Sequence, residues 1–207
     1  MNRKIALFGG TFDPIHLGHT AVAANAAKRI GAEKVIFIPA KCSPLKRTSP
    51  QAKDSDRINM IKLAIAGNEI FQVSDYELKK PRPSYTLETV RHFQNEYGGE
   101  TAICWLAGAD SIDELPHWYK ITELMEACNL CIMFRAGCKP PDFAKFEAIW
   151  PANLVEKLQR NIIPTPLIDV SSTEIRKRLT AGLSAADMLH PDVADYIRTH
   201  NLYRHSS

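Results

Sequence analysis

The first 39 residues already restrict the fold. Lys4-Ile-Ala-Leu-Phe8 is a short apolar run ending in glycines, Leu17 to Ile30 is alanine-rich with Gly31 at its stop, and Lys34-Val-Ile-Phe-Ile38 is a second apolar run closed by Pro39. Buried strand, helix and buried strand in this order make a βαβ unit, right-handed and with parallel strands.

The alternation continues. Lys41 to Lys53, with two prolines, two serines and four basic side chains, reads as a basic loop. Asp54 to Gly67 reads as a helix with Asp54 as N-cap and apolar positions at Ile58, Ile61, Leu63 and Ile65. Short strands are expected at Phe71–Val73 and Tyr76–Leu78, and a helix from Ser84 to Tyr97 stopped by Gly98-Gly99. Thr101–Leu106 and Leu130–Phe134 read as core strands, and Leu167–Val170 as a last short one. Helices follow at Ser171–Leu179 and Asp192–His200, while prolines interrupt weak helical signals between Lys139 and Arg160, which reads as variable surface structure. The expectation is an α/β, Rossmann-like, doubly wound and mostly parallel sheet of about five strands with helices on both faces. One domain is expected over residues 1–207, with a small C-terminal helical part from about residue 171.

Composition narrows the partners. The chain has 207 residues, 45% hydrophobic, and its 26 basic against 23 acidic residues leave a net charge of +3, too little for a nucleic-acid footprint. There is no signal-peptide pattern and no apolar run near the ~20 residues of a spanning helix, so no membrane partner and a cytoplasmic location are expected. A homo-oligomer is left open. Cys42, Cys104, Cys128, Cys131 and Cys138 have no disulfide-framework spacing, which fits a reducing compartment, and Cys128-Asn-Leu-Cys131 lies in an apolar run and reads as buried strand rather than metal site.

Ligands of such sheets bind beyond the carboxyl ends of the strands, and the chemically loaded segments fall there. Phe8 leads into GGTFDPIHLGH, Ile38 into the basic loop, Leu106 into GADS, Phe134 into RAG, and Val170 into SSTEIR. Gly9 and Gly10 lack a Cβ, so backbone N–H groups can approach an anion and take unusual dihedrals. A helix starting near Leu17 presents its positive end. His16 and His19, three apart, share a face of its first turn and can support charge developing on a phosphoryl group. Ser171, Ser172 and Thr173 exceed what one helix cap needs, and Arg176 follows one turn on, so that hydroxyls, N–H groups and a guanidinium could face one polyphosphate. There is no GxxxxGK[ST], no GxGxxG and no evident covalent nucleophile, which leaves chemistry resting on positioning and electrostatics.

GGTFDPIHLGH with its HxGH core, together with SSTEIR, resembles the paired signature of the HxGH nucleotidyltransferase superfamily. Within it the chain looks most like the bacterial nicotinate-nucleotide adenylyltransferases, through PSYT at 83–86, GADS at 108–111, HWY at 117–119 and NLYR at 201–204. The resemblance implies adenylyl transfer from ATP to nicotinate mononucleotide, giving deamido-NAD and pyrophosphate in NAD biosynthesis. It implies that Gly9, Gly10, Thr11, Phe12, His16 and His19 hold the ATP phosphates, joined by Ser171, Ser172, Thr173 and Arg176, with His16, His19 and Arg176 catalytic. Gly108 and Asp110 would line the nucleotide site, and a basic loop residue, Lys46 or Arg47, would reach the triphosphate. Tyr85, Thr86 and Trp118 would take the nicotinate end, the indole stacking on the pyridine ring. Arg135, from its place after the fourth strand, is expected to bind nicotinate mononucleotide through a phosphate contact. Mg²⁺ is expected mainly on the ATP phosphates. The alternatives are a nicotinamide mononucleotide or phosphopantetheine acceptor, or a catalytically silent nucleotide sensor.

Overall fold

The computed structural model describes residues 3–41, 49–81, 85–135 and 142–204, the side chain of Arg135 excepted. Its strands are β1 (Lys4–Gly10), β2 (Lys34–Pro39), β3 (Phe71–Val73), β4 (Ala102–Gly108), β5 (Asn129–Arg135) and β6 (Ile162–Thr165). Its helices are α1 (Leu17–Ile30), α2 (Asp54–Ile65), α3 (Thr86–Tyr97), α4 (Ile121–Ala127), α5 (Ala144–Glu147), α6 (Ala152–Arg160), α7 (Ser172–Thr180) and α8 (Pro191–Thr199), and a 3₁₀ stretch runs over Ala109–His117. The strands form one sheet in the order β3-β2-β1-β4-β5-β6, and every pairing is parallel.

The order reverses between β1 and β4, which opens the crevice where doubly wound sheets bind ligands. Alternation along β1 divides the core. Ala6 and Phe8 pack with residues of α1, α2, α7 and α8 on one face, while Ile5 and Leu7 pack with residues of α3, α4 and α6 on the other. A strand covered on both faces must be apolar throughout, which is why KIALF shows no period-two polarity. Gly31 closes α1 at φ +67°, where a side chain would be strained.

Four local expectations are corrected. Leu167–Val170 is not a strand; the sixth strand is β6, earlier in the chain. Pro164 lies inside β6, which among the described residues pairs only with β5, and an edge strand tolerates a proline that a central one would not. Tyr76–Lys79 is a turn rather than a strand. The N-cap of α2 is Lys53, and Asp54 is its first helical residue. The stretch read as variable surface contains α5 and α6, whose Phe146, Leu154, Val155 and Leu158 are buried in the core.

Trp105 and Trp150 are likewise core residues, and Cys128 and Cys131 are buried just before and within β5. Among the described residues no helix is long and apolar enough to cross a membrane.

Candidate active site

At the carboxyl ends of the strands lies a cleft of about 1180 Å³, lined by the Phe8–Asp13 turn, His16, His19, Ser49–Gln51, Gly108–Asp113, Asp142, Lys145 and the start of α7 through Arg176. Of the residues expected to hold ATP, all except Lys46 line it. Lys46 and Arg47 lie outside the described residues, as do Pro83 and Ser84.

The unusual dihedrals expected of the glycine pair are not found, and the packing gives the pair a further reason. Gly9 and Gly10 are in β1, without positive φ. A Cβ on Gly9 would stand 2.5 Å from the Trp105 ring, and one on Gly10 2.9 Å from the Phe12 ring, closer than carbon atoms pack. The glycines therefore let aromatic rings close against the floor of the cleft. The left-handed backbone falls instead on Phe12, at φ +48°, which costs on the order of 1–3 kcal/mol for a bulky residue and persists only where the surroundings hold it. Phe12 is buried against Phe8 and Phe37, with its edge to His19 at 5.0 Å.

His16 is the N-cap of α1. Its N–H donates to His19 Nδ1 at 3.2 Å, and the two rings stack with centroids 3.7 Å apart. An accepting Nδ1 puts the proton of a neutral His19 on Nε2. His16 is 7% exposed, its Nδ1 has no partner among the described residues, and burial lowers its pKa to about 4. It is neutral at pH 7, as suits one of two imidazoles this close. The first turn of α1 carries no acidic residue, and the N–H groups of Leu17 and Gly18 have no intrahelical acceptor.

Helix α7 is clasped onto this turn. Ser172 Oγ donates to Pro14 O at 2.9 Å, and Arg176 Nη1 to Asp13 O at 2.6 Å, with Nη2 3.4 Å from Thr173 Oγ1. Ser171 accepts the Glu174 N–H and is the helix cap. The SSTEIR hydroxyls thus divide their work, and the two motifs, some 160 residues apart, form one wall.

Two anchors escaped sequence reasoning. The Asp13 carboxylate is buried and accepts from Gln51 N (2.8 Å), Ala52 N (3.1 Å) and Tyr203 Oη (2.7 Å). Burial and the Asp13 charge push the Tyr203 pKa well up, so it is a donor here. Arg57 of α2 is fully buried behind the turn and reaches Thr11 O and Ala40 O. A buried aspartate before a proline could be read as an anchor; nothing in DSDRINM sets Arg57 apart from a solvated helix residue.

Across the sheet, Asp110 folds its carboxylate over Gly108, where a Cβ would collide with it. Gly108 stands two residues beyond Leu106, the register partner of Phe8. At the rim, Lys145 pairs with Asp113. The described residues contain no group of three His, Cys, Asp or Glu able to hold a metal, and the Asp13 carboxylate is already committed.

Tyr85, Thr86 and Trp118 do not line this cleft but form a second station. Tyr85 is the N-cap of α3 without a side-chain bond, leaving the N–H groups of Thr86 and Leu87 without intrahelical acceptors. Its ring stacks on Tyr119 with centroids 4.4 Å apart. Trp118 is half-buried against the α3 side of the core, with Nε1 unpartnered among the described residues. One turn along α3, Thr89 Oγ1 donates to buried Glu77 at 2.7 Å, and burial raises the Glu77 pKa to about 7. The backbone of Arg135 ends β5.

A Rossmann-like sheet with an HxGH turn clasped by an SSTEIR helix start has the form of a nucleotidyltransferase, and comparison with known proteins agrees. Residues 7–178 match the cytidylyltransferase-like family. A probable nicotinate-nucleotide adenylyltransferase of Dehalococcoides mccartyi is 36% identical over 97% of both chains, and one of Clostridium tetani 38% identical over 98% of this chain and 100% of its own length. The structure of Plasmodium falciparum nicotinic acid mononucleotide adenylyltransferase complexed with NaAD superposes with a TM-score of 0.72, covering 97% of both chains at 20% identity, and so shares the fold. The chain belongs to the cytidylyltransferase-like family and, within it, to the nicotinate-nucleotide adenylyltransferases.

Proposed function

We propose that the cleft transfers the adenylyl group of ATP to nicotinate mononucleotide, forming deamido-NAD and releasing pyrophosphate. The observation that carries this reading is the joining of the two phosphate motifs into one wall by Ser172 and Arg176 at the start of α1. An acceptor phosphate oxygen attacks the α-phosphorus in line, the bond to the β-phosphate bridge breaks, and no covalent enzyme intermediate is needed. The chain's part is to hold the reacting groups and to receive charge. His19 donates from Nε2 to a phosphoryl oxygen, and His16, neutral while the cleft is empty, gains basicity as the anion replaces part of its lost hydration. The open first turns of α1 and α7 supply N–H groups to the triphosphate, while Arg176 contributes charge from behind the Asp13 peptide. Lys46 or Arg47 from the basic loop, and Arg135, would add cations.

Mg²⁺ fits as a cation carried on the triphosphate, because among the described residues the cleft has dispersed carboxylates and no cage; Asp110 follows β4 beside the switch point. When bound it would neutralise charge on the phosphate oxygens. The nicotinate carboxylate is read as accepting from the open N–H groups at the start of α3, with its ring against Trp118 or the Tyr85–Tyr119 pair.

Steady-state rates with ATP and each of nicotinate mononucleotide, nicotinamide mononucleotide and phosphopantetheine test the assignment, with deamido-NAD identified by mass. A preference for either of the other acceptors overturns it.

A further inference from the structure

Arg57 is 0% exposed yet carries a full charge, and taking a guanidinium out of water is among the costliest choices a core can make. For packing α2 against the sheet, a methionine of similar length would serve as well. What the guanidinium does is specific: Nη1 donates to Thr11 O at 2.7 Å and to Ala40 O at 2.8 Å, and Nη2 binds Asp54 Oδ1 at 2.7 Å. Its Nε has no acceptor among the described residues, and the Asp54 side chain is 46% exposed, so the neutralising charge is partly screened by water. Thr11 belongs to the turn after β1 and Ala40 follows β2, where Ala40 N also donates to Gly10 O at 2.9 Å. One side chain thus ties together the ends of the two strands flanking the phosphate-binding turn.

The consequence follows from peptide planarity. The Thr11 C=O and the Phe12 N–H belong to one planar unit and point in opposite directions. Because Arg57 holds the carbonyl from the α2 side, the amide of Phe12 is turned away from α2, and both residues line the cleft. The left-handed backbone at Phe12 marks the same peptide as held against its preference. Released from Arg57, that unit can rotate and present a carbonyl oxygen, an anion-repelling group, to the same space.

We propose that Arg57 is a positioning residue for the triphosphate: by capturing the Thr11 carbonyl it fixes the Phe12 N–H as a donor to phosphate oxygen, and its buried positive charge stands behind that donor. This rests on the reading that the cleft takes ATP.

The test uses the full chain labelled with ¹⁵N-phenylalanine, titrated with pyrophosphate, and the variants Arg57→Met and Arg57→Lys. In the wild type, pyrophosphate shifts the Phe12 amide resonance more than those of the other buried phenylalanines. In Arg57→Met, affinity for pyrophosphate and for a non-hydrolysable ATP analogue falls roughly 10-fold to 100-fold, the loss of one charge-assisted donor, while affinity for nicotinate mononucleotide stays within about twofold. Arg57→Lys, which can reach one carbonyl but not both, falls between the two and supplies the measurement if Arg57→Met does not fold. A wild-type Phe12 amide that ignores bound pyrophosphate, or folded variants that bind the analogue normally or lose both substrates equally, overturns the proposal. Failure of the wild type to bind either phosphate ligand overturns the ATP reading and this inference with it.

Discussion

The HxGH corner and the start of α3 are both helix N-termini suited to an anion, but they are held in different ways. The corner is fixed by bonds from distant parts of the chain: Arg57 on Thr11, Arg176 and Ser172 on the Asp13–Pro14 carbonyls, and Tyr203 on the Asp13 carboxylate. The α3 station is held by a ring stack, Tyr85 on Tyr119, and by two bonds with the preceding turn, Thr89 on Glu77 and Lys80 on Glu88. Directional bonds from three separate parts of the chain, α2, α7 and the segment at Tyr203, define one geometry to a fraction of an ångström, as phosphoryl transfer requires. A ring stack can slide, or exchange one ring for a ligand's, at little cost. The HxGH corner is therefore held in one geometry by the protein itself, whereas the start of α3 presents ring surfaces able to adjust, as suits the proposed division between phosphoryl chemistry and acceptor recognition.

The largest effect that tests this division is expected at His19. His19→Ala should lower kcat by roughly 10²-fold to 10⁴-fold, on the order of 3–5 kcal/mol, with little change in unfolding midpoint; unchanged turnover would remove the imidazole from the chemistry. Next come two opposed titrations. His16 has its pKa lowered from 6.5 to about 4, so the unfolded chain takes up a proton first and stability falls as pH drops through that window, by about 3 kcal/mol in full. Glu77 has its pKa raised from 4.5 to about 7, so the unfolded chain loses its proton first and stability falls, by a similar ~3 kcal/mol, as pH rises through that window. Between pH 4.5 and 6.5 the two nearly cancel. Urea unfolding of His16→Asn should then show stability falling with pH there, and Glu77→Gln stability rising; identical slopes in both variants would contradict the assignment.

Smaller effects sharpen the contrast. Tyr203→Phe removes one donor from the Asp13 carboxylate and should cost about 1–2 kcal/mol of unfolding free energy, with kcat/KM for both substrates reduced together. Trp118→Leu should raise KM for nicotinate mononucleotide by roughly fivefold, about 1 kcal/mol, and leave KM for ATP alone. Equal changes in both KM values would mean that the two regions do not act separately.

How much of this was visible beforehand depends on the range of each interaction. The core strands around KIALF, KVIFI and TAICWL and the helix from Leu17 were legible because apolar runs and caps are local signals. His16 and His19 stood out because three-residue spacing on a helix is local as well. β6 was hidden by Pro164, whose tolerance at a sheet edge depends on strand order, a property of the whole fold. The glycine pair signals backbone freedom in the sequence, whereas what a Cβ on Gly9 would meet is the Trp105 ring, which arrives from another strand. Arg57 and the partnership of Asp13 with Tyr203 join residues 46 and 190 positions apart, and no window on the chain contains both ends of such bonds.

The bond between Asp13 and Tyr203 also sets an order of events during synthesis. At about 5–20 residues per second, the ribosome adds the intervening stretch over some tens of seconds, and β1, α1 and β2 can pair long before then. Throughout that interval the HxGH turn exists without its last anchor. Competence to bind nucleotide thus becomes a late checkpoint: the turn is fully secured only after residue 203 has emerged, so a fragment stopped short of it could fold its first βαβ unit while holding ATP poorly.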